Sequence, residues 1–311
     1  MSANHAAFNL IFRFVENYIS PVAGRISSQR HVMAIRDGFI SAMPFMIVGS
    51  FLLVFAYPPF SPDTTWGFAR AWLDLAKEFE GRILTPFDMT MGIMSIYICA
   101  AIAYNLGKHY EKSNQLDPFM CAMLSIMAFL LVAAPKTNGN LPVDSLGGTG
   151  IFTAILVAVY CVEMMRFLKA HNIGIRLPDQ VPPMIKNSFD LLIPVLVVVL
   201  TLYPLSLLIQ HHFDMLIPQA IMAIFKPLVS AADSLPAILL AVLVGHLLWF
   251  AGIHGAAIVS GMLQMFWLTN LGMNQQALAQ GAPLPHIFME AFWTFFIVIG
   301  RSEERRVGKE C

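Results

Sequence analysis

Trp249-Phe250-Ala251-Gly252-Ile253-His254-Gly255 sets a histidine between two glycines inside an apolar run that extends from Leu235 to Leu268. An ionisable ring at membrane depth is costly unless it faces protein or a watery cavity, so His254 is a candidate functional residue. A neutral imidazole both donates and accepts, which suits a sugar hydroxyl. The alternative is a histidine that hydrogen-bonds a neighbouring helix and only packs. Trp249 can stack on the apolar face of a pyranose and offers its indole N–H as a polar handle. Gly252 and Gly255 let backbone, a neighbouring helix or a ligand come close. His246 precedes His254 by eight residues, about 80° around a continuous helix, which is not metal-ligand spacing.

Two further features carry polar groups. Lys136-Thr137-Asn138-Gly139-Asn140 and Gly147-Gly148-Thr149-Gly150 form a glycine-rich loop. It is no P-loop, because no lysine follows the glycines at the required place. Such loops are ordinarily connectors. If this one folds back toward the centre, Asn138 and its neighbours meet sugar hydroxyls. The carboxylates near apolar runs are Asp37, Asp88, Glu163, Asp190 and Glu290. All but Glu163 sit near a run's end, where capping or solvation explains them. Glu290 is the acidic residue nearest the last run and a candidate ligand contact. No acidic pair or relay for proton coupling is evident. There is no Ser/His/Asp order, HExxH or zinc pattern, so neither catalytic nor metal-ligating residues are assigned. Cys99, Cys121 and Cys161 lie in apolar runs without CxxC spacing and read as small packing residues.

The elements that position these residues are apolar helices. The 311 residues are 57% hydrophobic and 12% charged, and mean hydropathy is +0.67. A soluble domain carries roughly twice that charged fraction. Zero net charge gives nucleic acid no electrostatic footprint. The chain therefore reads as an all-α polytopic membrane protein, with the lipid bilayer as its first partner.

Spans of about 20 residues are expected at Gly38–Tyr57, Met89–Leu106, Phe119–Ala134, Thr149–Phe167 and Phe189–Ile209, the last kinked at Pro194 and Pro204. Met215–Phe225 is too short to cross alone and reads as re-entrant or interfacial. Leu235–Phe250, Ala256–Leu271 and Ile287–Gly300 follow. Phe8, Ile11, Phe12, Val15, Tyr18, Ile19 and Val22 repeat at helical spacing, as in a surface-lying helix rather than a cleavable signal. Lys and Arg flanking the first five spans divide ten against four, favouring a cytoplasmic N-terminus and a cytoplasmic loop at 168–188.

The expected organisation is a cytoplasmic or interfacial segment 1–37, an N-terminal transmembrane half 38–167, an amphipathic linker 168–188 and a C-terminal half 189–300 of broken or re-entrant pieces. Interrupted segments are where transporters build substrate sites. Residues 301–311 carry seven charges in eleven positions. They read either as a cytoplasmic tail or as a non-native sequence replacing the rest of the protein.

Gln29-Arg30-His31-Val32-Met33-Ala34-Ile35-Arg36-Asp37-Gly38-Phe39, Ala103-Tyr104-Asn105-Leu106, Val181-Pro182-Pro183 with Asn187-Ser188-Phe189, and Gly252-Ile253-His254-Gly255 together resemble a known family. It is the membrane IIC component of the bacterial phosphoenolpyruvate–sugar phosphotransferase system, in the lactose, cellobiose and N,N′-diacetylchitobiose subgroup. The likeness runs from residue 1 to about 300. It implies an inner-membrane homodimer of ten spans per subunit, the first five making the dimer contact and the rest holding a β-linked disaccharide. It also implies a cytoplasmic IIB partner whose phosphocysteine phosphorylates the sugar's 6-hydroxyl. By this resemblance His254 matches the sugar-binding histidine and Trp249 an aromatic at the site. No cofactor is implied, and the chain has no phosphoacceptor of its own.

The family's Asn-x-Asn-Glu-Pro motif does not occur here, and Arg301-Ser302-Glu303 stands where members continue with Gly-Ser-Gly. The resemblance thus implies a C-terminal truncation and an incomplete site. Two competing readings are an ion-gradient-coupled carrier, whose uptake collapses with an uncoupler, and a non-transporting fragment. In a full-length version, His254→Ala should abolish disaccharide binding and phosphoenolpyruvate-dependent uptake. Normal binding and uptake in that variant would overturn the assignment.

Overall fold

The computed structural model describes residues 28–135, 141–175, 189–250 and 255–298, with isolated positions 13, 17, 21, 24, 25, 178 and 182. Most of the helix expected over 8–22, much of the 168–188 linker and all of 301–311 therefore lie outside the described residues.

Helix α1 spans Arg30–Ala56 and is capped by Gln29, whose Oε1 accepts from Val32 N at 2.8 Å. It starts at Arg30 rather than at the expected Gly38 because its polar first turns find partners. His31 meets Glu163, and Arg36 pairs with Asp37 at 2.8 Å. Helix α2, Gly67–Asp88, was not expected, since its many charges exclude it from any list of apolar runs. It is amphipathic, buries Ala69, Ala76 and Phe87, and is fastened to the end of α1 by Trp72 Nε1 donating to Phe55 O at 3.2 Å. A charged helix with exposed Trp66 and Phe68 at its start has the pattern of an interfacial element.

Residues 89–93 form a tight turn instead of opening a span at Met89. Helix α3 then runs Met94–Asn114 and ends at Gln115 in the left-handed region, φ 54°. Helix α4, Pro118–Ala133, is started by Asp117, whose Oδ1 accepts from Phe119 N at 2.9 Å and Met120 N at 3.3 Å. Proline fits the first turn of a helix because its missing N–H would be an orphan there. A 3-10 turn, Gly148–Gly150, leads into α5, Ile151–Ala170. Helix α6 is Leu192–Phe213 with Pro204 inside it.

Helices α7, Ile217–Ala232, and α8, Leu235–Phe250, meet at a 68° bend, so the segment too short to cross alone is one arm of a broken pair. Helix α9, Gly255–Ala279, runs well past the expected Leu271. An irregular run, 282–289, follows, then one helical turn, α10 (Glu290–Phe292), passing into π-helical Trp293–Val298. Among the described residues, Arg30–Ala56, Gly148–Ala170 and Leu192–Phe213 are long and apolar enough to cross a membrane, and the bent pair makes a fourth candidate.

Helices α1, α3, α4 and α5 form the main core, with Phe39, Met94, Ile98, Leu106, Leu124, Phe129 and Ile151 fully buried. Cys99, Cys121 and Cys161 are buried within it, one each on α3, α4 and α5. One end of this bundle is tied by polar contacts. Glu163 Oε1 accepts from Tyr110 Oη at 2.8 Å and lies 2.9 Å from His31 Nε2, while Oε2 pairs with Arg166 at 2.6 Å. Glu163, read from the sequence as a carboxylate away from any span end, thus joins α1, α3 and α5.

At the other end Tyr57 Oη donates to Glu80 Oε1 at 2.9 Å and lies 3.2 Å from Ala279 O. The 145–150 turn packs between α3 and α9. Ser95 Oγ donates to Gly147 O at 2.6 Å, and a Cβ added at Gly272 would lie 2.9 Å from Gly148 Cα.

Close helix approach in the core depends on glycine. A Cβ at Gly38 would sit 2.8 Å from Ile102 N, a backbone atom of α3 that cannot swing aside. Gly38→Val should therefore cost about 1–3 kcal/mol and lower the thermal unfolding midpoint in detergent. Gly81→Ala, which meets nothing within 4 Å on α2, should leave the midpoint unchanged or slightly raised.

Candidate functional site

Trp267, Asn270 and Asn274 recur at i, i+3 and i+7, so they share one face of α9. That face receives the irregular run 282–289. Asn274 Nδ2 donates to His286 O at 2.8 Å, and its Oδ1 accepts from His286 N at 3.0 Å. Asn270 Nδ2 donates to Phe288 O at 3.0 Å. From the other side comes Asp233, in the break between α7 and α8. Its Oδ1 accepts from Phe288 N at 2.7 Å and Ile287 N at 3.1 Å, and its Oδ2 lies 3.1 Å from His286 Nδ1. A carboxylate is acceptor-only, so Nδ1 carries the proton in that bond. Both side chains are almost enclosed, His286 at 10% exposure and Asp233 at 11%.

Backbone without helix at membrane depth needs every N–H and C=O met by protein or water. Here side chains from two sides meet the N–H groups of residues 286–288 and the C=O groups of His286 and Phe288. The run delivers two residues of interest. Glu290 opens α10, partly buried, with a carboxylate that makes no hydrogen bond or ion pair among the described residues. Trp293 lies one turn on and stacks against Trp267 with ring centroids 5.3 Å apart, both rings 1% exposed. Ala241 of α8 and Val259 of α9 complete that apolar cluster.

Four buried polar atoms on this seam have no partner among the described residues: Asn270 Oδ1, His286 Nε2, Trp267 Nε1 and Trp293 Nε1. An unmet buried polar atom costs about 1–3 kcal/mol. Two indole donors, an amide acceptor and a ring nitrogen suit bridging water or the hydroxyls of a polyol. Among the described residues no group of three or more His, Cys, Asp or Glu is arranged to hold a metal ion.

Of the residues singled out from the sequence, His254, Gly252 and Asn138 lie outside the described residues. Trp249 and Gly255 are brought together. Trp249 occupies the last turn of α8, and a Cβ at Gly255 would lie 2.6 Å from its Cδ1 and collide with Gly245 O. Glu290 stands apart from this corner. Its neighbour Trp293 stacks on Trp267, twelve residues along α9 from Gly255, which is roughly 18 Å of helix. Two surface clefts, of about 590 and 710 Å³, include none of the predicted site residues.

Asp233, His286, Asn270 and Asn274 were not singled out from the sequence. Asp233 and His286 meet across 53 positions of chain. The available signal was Asn270 and Asn274, two amides four residues apart on an apolar helix.

The family model described as "Phosphotransferase system, EIIC" matches residues 36–302. The cellobiose-specific EIIC component of Geobacillus stearothermophilus is 33% identical over 309 residues, covering 93% of this chain and 66% of that protein. The lichenan permease IIC component of Bacillus subtilis is 30% identical, covering 94% of this chain and 66% of that one. The lactose-specific EIICB component of Streptococcus mutans is 31% identical, covering 90% and 49%. The chain thus spans about two thirds of the length of the first two and half of the third. Among solved structures, the transporter ChbC, the IIC component from the N,N′-diacetylchitobiose-specific phosphotransferase system, is similar with a TM-score of 0.79 and 32% identity, over 93% of this chain and 68% of that one.

Asn274 makes both backbone bonds to His286, so truncating it leaves a buried N–H and C=O unmet. Asn274→Ala should destabilise the protein by about 1–2 kcal/mol, read as a lower thermal unfolding midpoint in detergent. Unchanged stability would show that water replaces the amide without loss.

Proposed function

The chain belongs to the EIIC family of the phosphotransferase system, and on that premise we propose that it serves as the sugar permease of such a system. Its substrate is a β-linked disaccharide of the cellobiose or diacetylchitobiose type, translocated for 6-phosphorylation by a cytoplasmic IIB partner. The observation that carries this reading is the 33% identity, across 93% of the chain, to a cellobiose-specific EIIC component. The likeness to a diacetylchitobiose-specific IIC structure, at a TM-score of 0.79, supports the same substrate class.

His254 and Trp249 hold the sugar, the imidazole at the hydroxyl bound for phosphorylation and the indole against a ring face. Gly252 and Gly255 allow the approach, while Asn138 and Glu290 supply further hydroxyl contacts. The 18 Å of helix between Gly255 and Trp267 means that a ligand meeting both Trp249 and Glu290 lies along α9. The unmet polar atoms of the α9 seam support recognition of a hydroxylated ligand. The protein acts as a multi-pass homodimer with a cytoplasmic N-terminus. In this reading phosphoryl transfer belongs to the IIB protein; Cys99, Cys121 and Cys161 are enclosed in the bundle and serve packing.

One observation favours a second reading. A buried carboxylate–imidazole pair such as Asp233–His286 is the kind of group a proton-coupled carrier uses. Uptake of labelled cellobiose and diacetylchitobiose into vesicles separates the two. The permease reading expects accumulation of sugar phosphate that requires phosphoenolpyruvate and the IIB protein and survives an uncoupler. Uptake that collapses with uncoupler and needs no phosphoryl donor would establish the carrier instead. In the same assay Trp249→Ala should reduce sugar affinity by about two- to tenfold, an aromatic stack being worth roughly 0.5–1.5 kcal/mol.

A further inference from the structure

Asp233 stands where two helices break and where a third segment has no helix at all. Its one carboxylate accepts from Ile287 N, Phe288 N and the His286 ring. No neutral side chain replaces it without loss. An asparagine keeps one acceptor oxygen but turns an NH2 toward the other donors, and an alanine leaves the backbone N–H groups of Ile287 and Phe288 without this acceptor. The opposite side of the same run is held by Asn270 and Asn274, so residues 286–288 lie between α9 and the α7–α8 break with both sides bonded. Glu290 follows Phe288 by two residues, and Trp293 is one helical turn beyond. Any slip of the run carries both with it, and one residue of extended chain is about 3.3 Å.

We propose that Asp233 is a positioning residue: its carboxylate fixes the register of 286–288 against α9 and so places Glu290 for sugar binding, with Trp293 seated on Trp267 as the anchor of the turn that follows. For the identity of the ligand this rests on the permease reading above. The same bond fixes which ring nitrogen of His286 carries the proton toward the carboxylate, and it leaves Nε2 enclosed in the seam. A carboxylate that holds a histidine tautomer and two backbone donors together acts on ligand binding without touching ligand.

The test uses the full chain in detergent, with cellobiose and diacetylchitobiose as probes. Amide hydrogen exchange at Ile287 and Phe288, sugar affinity and thermal midpoint are measured for wild type, Asp233→Ala and Asp233→Asn. Asp233→Ala should speed exchange at both amides and weaken sugar affinity by about tenfold or more. Asp233→Asn, with one acceptor left, should fall between it and wild type in both readouts, a graded rescue that loss of general stability would not give. If Asp233→Ala does not fold, an Asp233→Asn variant with wild-type exchange and affinity overturns the proposal. Faster exchange with unchanged affinity would also overturn it, leaving Asp233 structural and the permease reading intact. Wild type binding neither sugar would overturn the sugar-placing half of the proposal for this chain, through either the incomplete site the resemblance implies or a wrong permease reading. Unchanged exchange at Ile287 and Phe288 would then still show that Asp233 does not hold the segment.

Discussion

The hydrogen-bonding demand of non-helical backbone between packed helices organises the C-terminal half of this protein. A helix meets its own N–H and C=O groups, but the run 282–289 does not. Left unmet, each such group costs on the scale of kcal/mol, and several would outweigh the few apolar contacts the run makes. Asn270 and Asn274 on one side and Asp233 on the other meet the groups of residues 286–288. Their placement fixes where α9 and the α7–α8 break lie relative to one another. A break in a span is tolerable only where such partners exist, and here the break at Asp233 and the irregular run supply each other.

Helix α9 transmits that arrangement to the rest of the bundle because it is polar on two faces. Asn270 and Asn274 face the run, while Gln275 Nε2 donates to Ser50 Oγ of α1 at 2.8 Å, and Gly272 rests against Gly148. Ala279 O approaches the Tyr57 hydroxyl. The C-terminal half of α9 is therefore bonded to the first helix and to the turn before α5, and the same helix carries the seam. Movement of the run relative to α9 breaks amide bonds to backbone. Among the described residues, movement of α9 relative to α1 breaks the Gln275–Ser50 and Tyr57–Ala279 contacts and an apolar packing surface. The seam between run and helix is the more firmly bonded of the two.

The sequence made the apolar helices legible, because long runs such as Arg30–Ala56 and Leu192–Phe213 follow directly from the thickness of a bilayer. Helix α2 was illegible by the same test. Its charges disqualify it as a span, and its amphipathic repeat lies between apolar runs that draw attention first. The starts of α1 and α3 shifted because partners decide helix ends. His31 finds Glu163 on α5, while the turn at 89–93 delays α3 to Met94. Asp233 was hidden for a different reason. In Ser230-Ala231-Ala232-Asp233-Ser234-Leu235-Pro236 it reads as an ordinary turn aspartate, and its partners lie more than 50 residues away. Asn270 and Asn274 were within reach, since polar residues on an apolar helix raise the same question that the histidine between glycines raised.

That histidine's flanks acquire separate meanings. Gly255 has a packing cause, independent of any ligand. It lies where the start of α9 presses against Gly245 O and Trp249 of α8, and any side chain would force the two helices apart. Four residues, 251–254, join these helices, so their ends must lie close and the small residue is required by the corner itself. Gly255 therefore has a packing role beside the approach it allows a ligand, and the reading of His254 draws on Trp249 and on the family. The corner contributes in another way. By holding Trp249 against the first turn of α9, it places that indole on the same helix that, further along, carries the asparagines and Trp267. Helices α8 and α9 both reach the two groups of candidate residues, α8 through Trp249 and Ala241 and α9 through Gly255 and Trp267, and the polar seam runs along α9 between them.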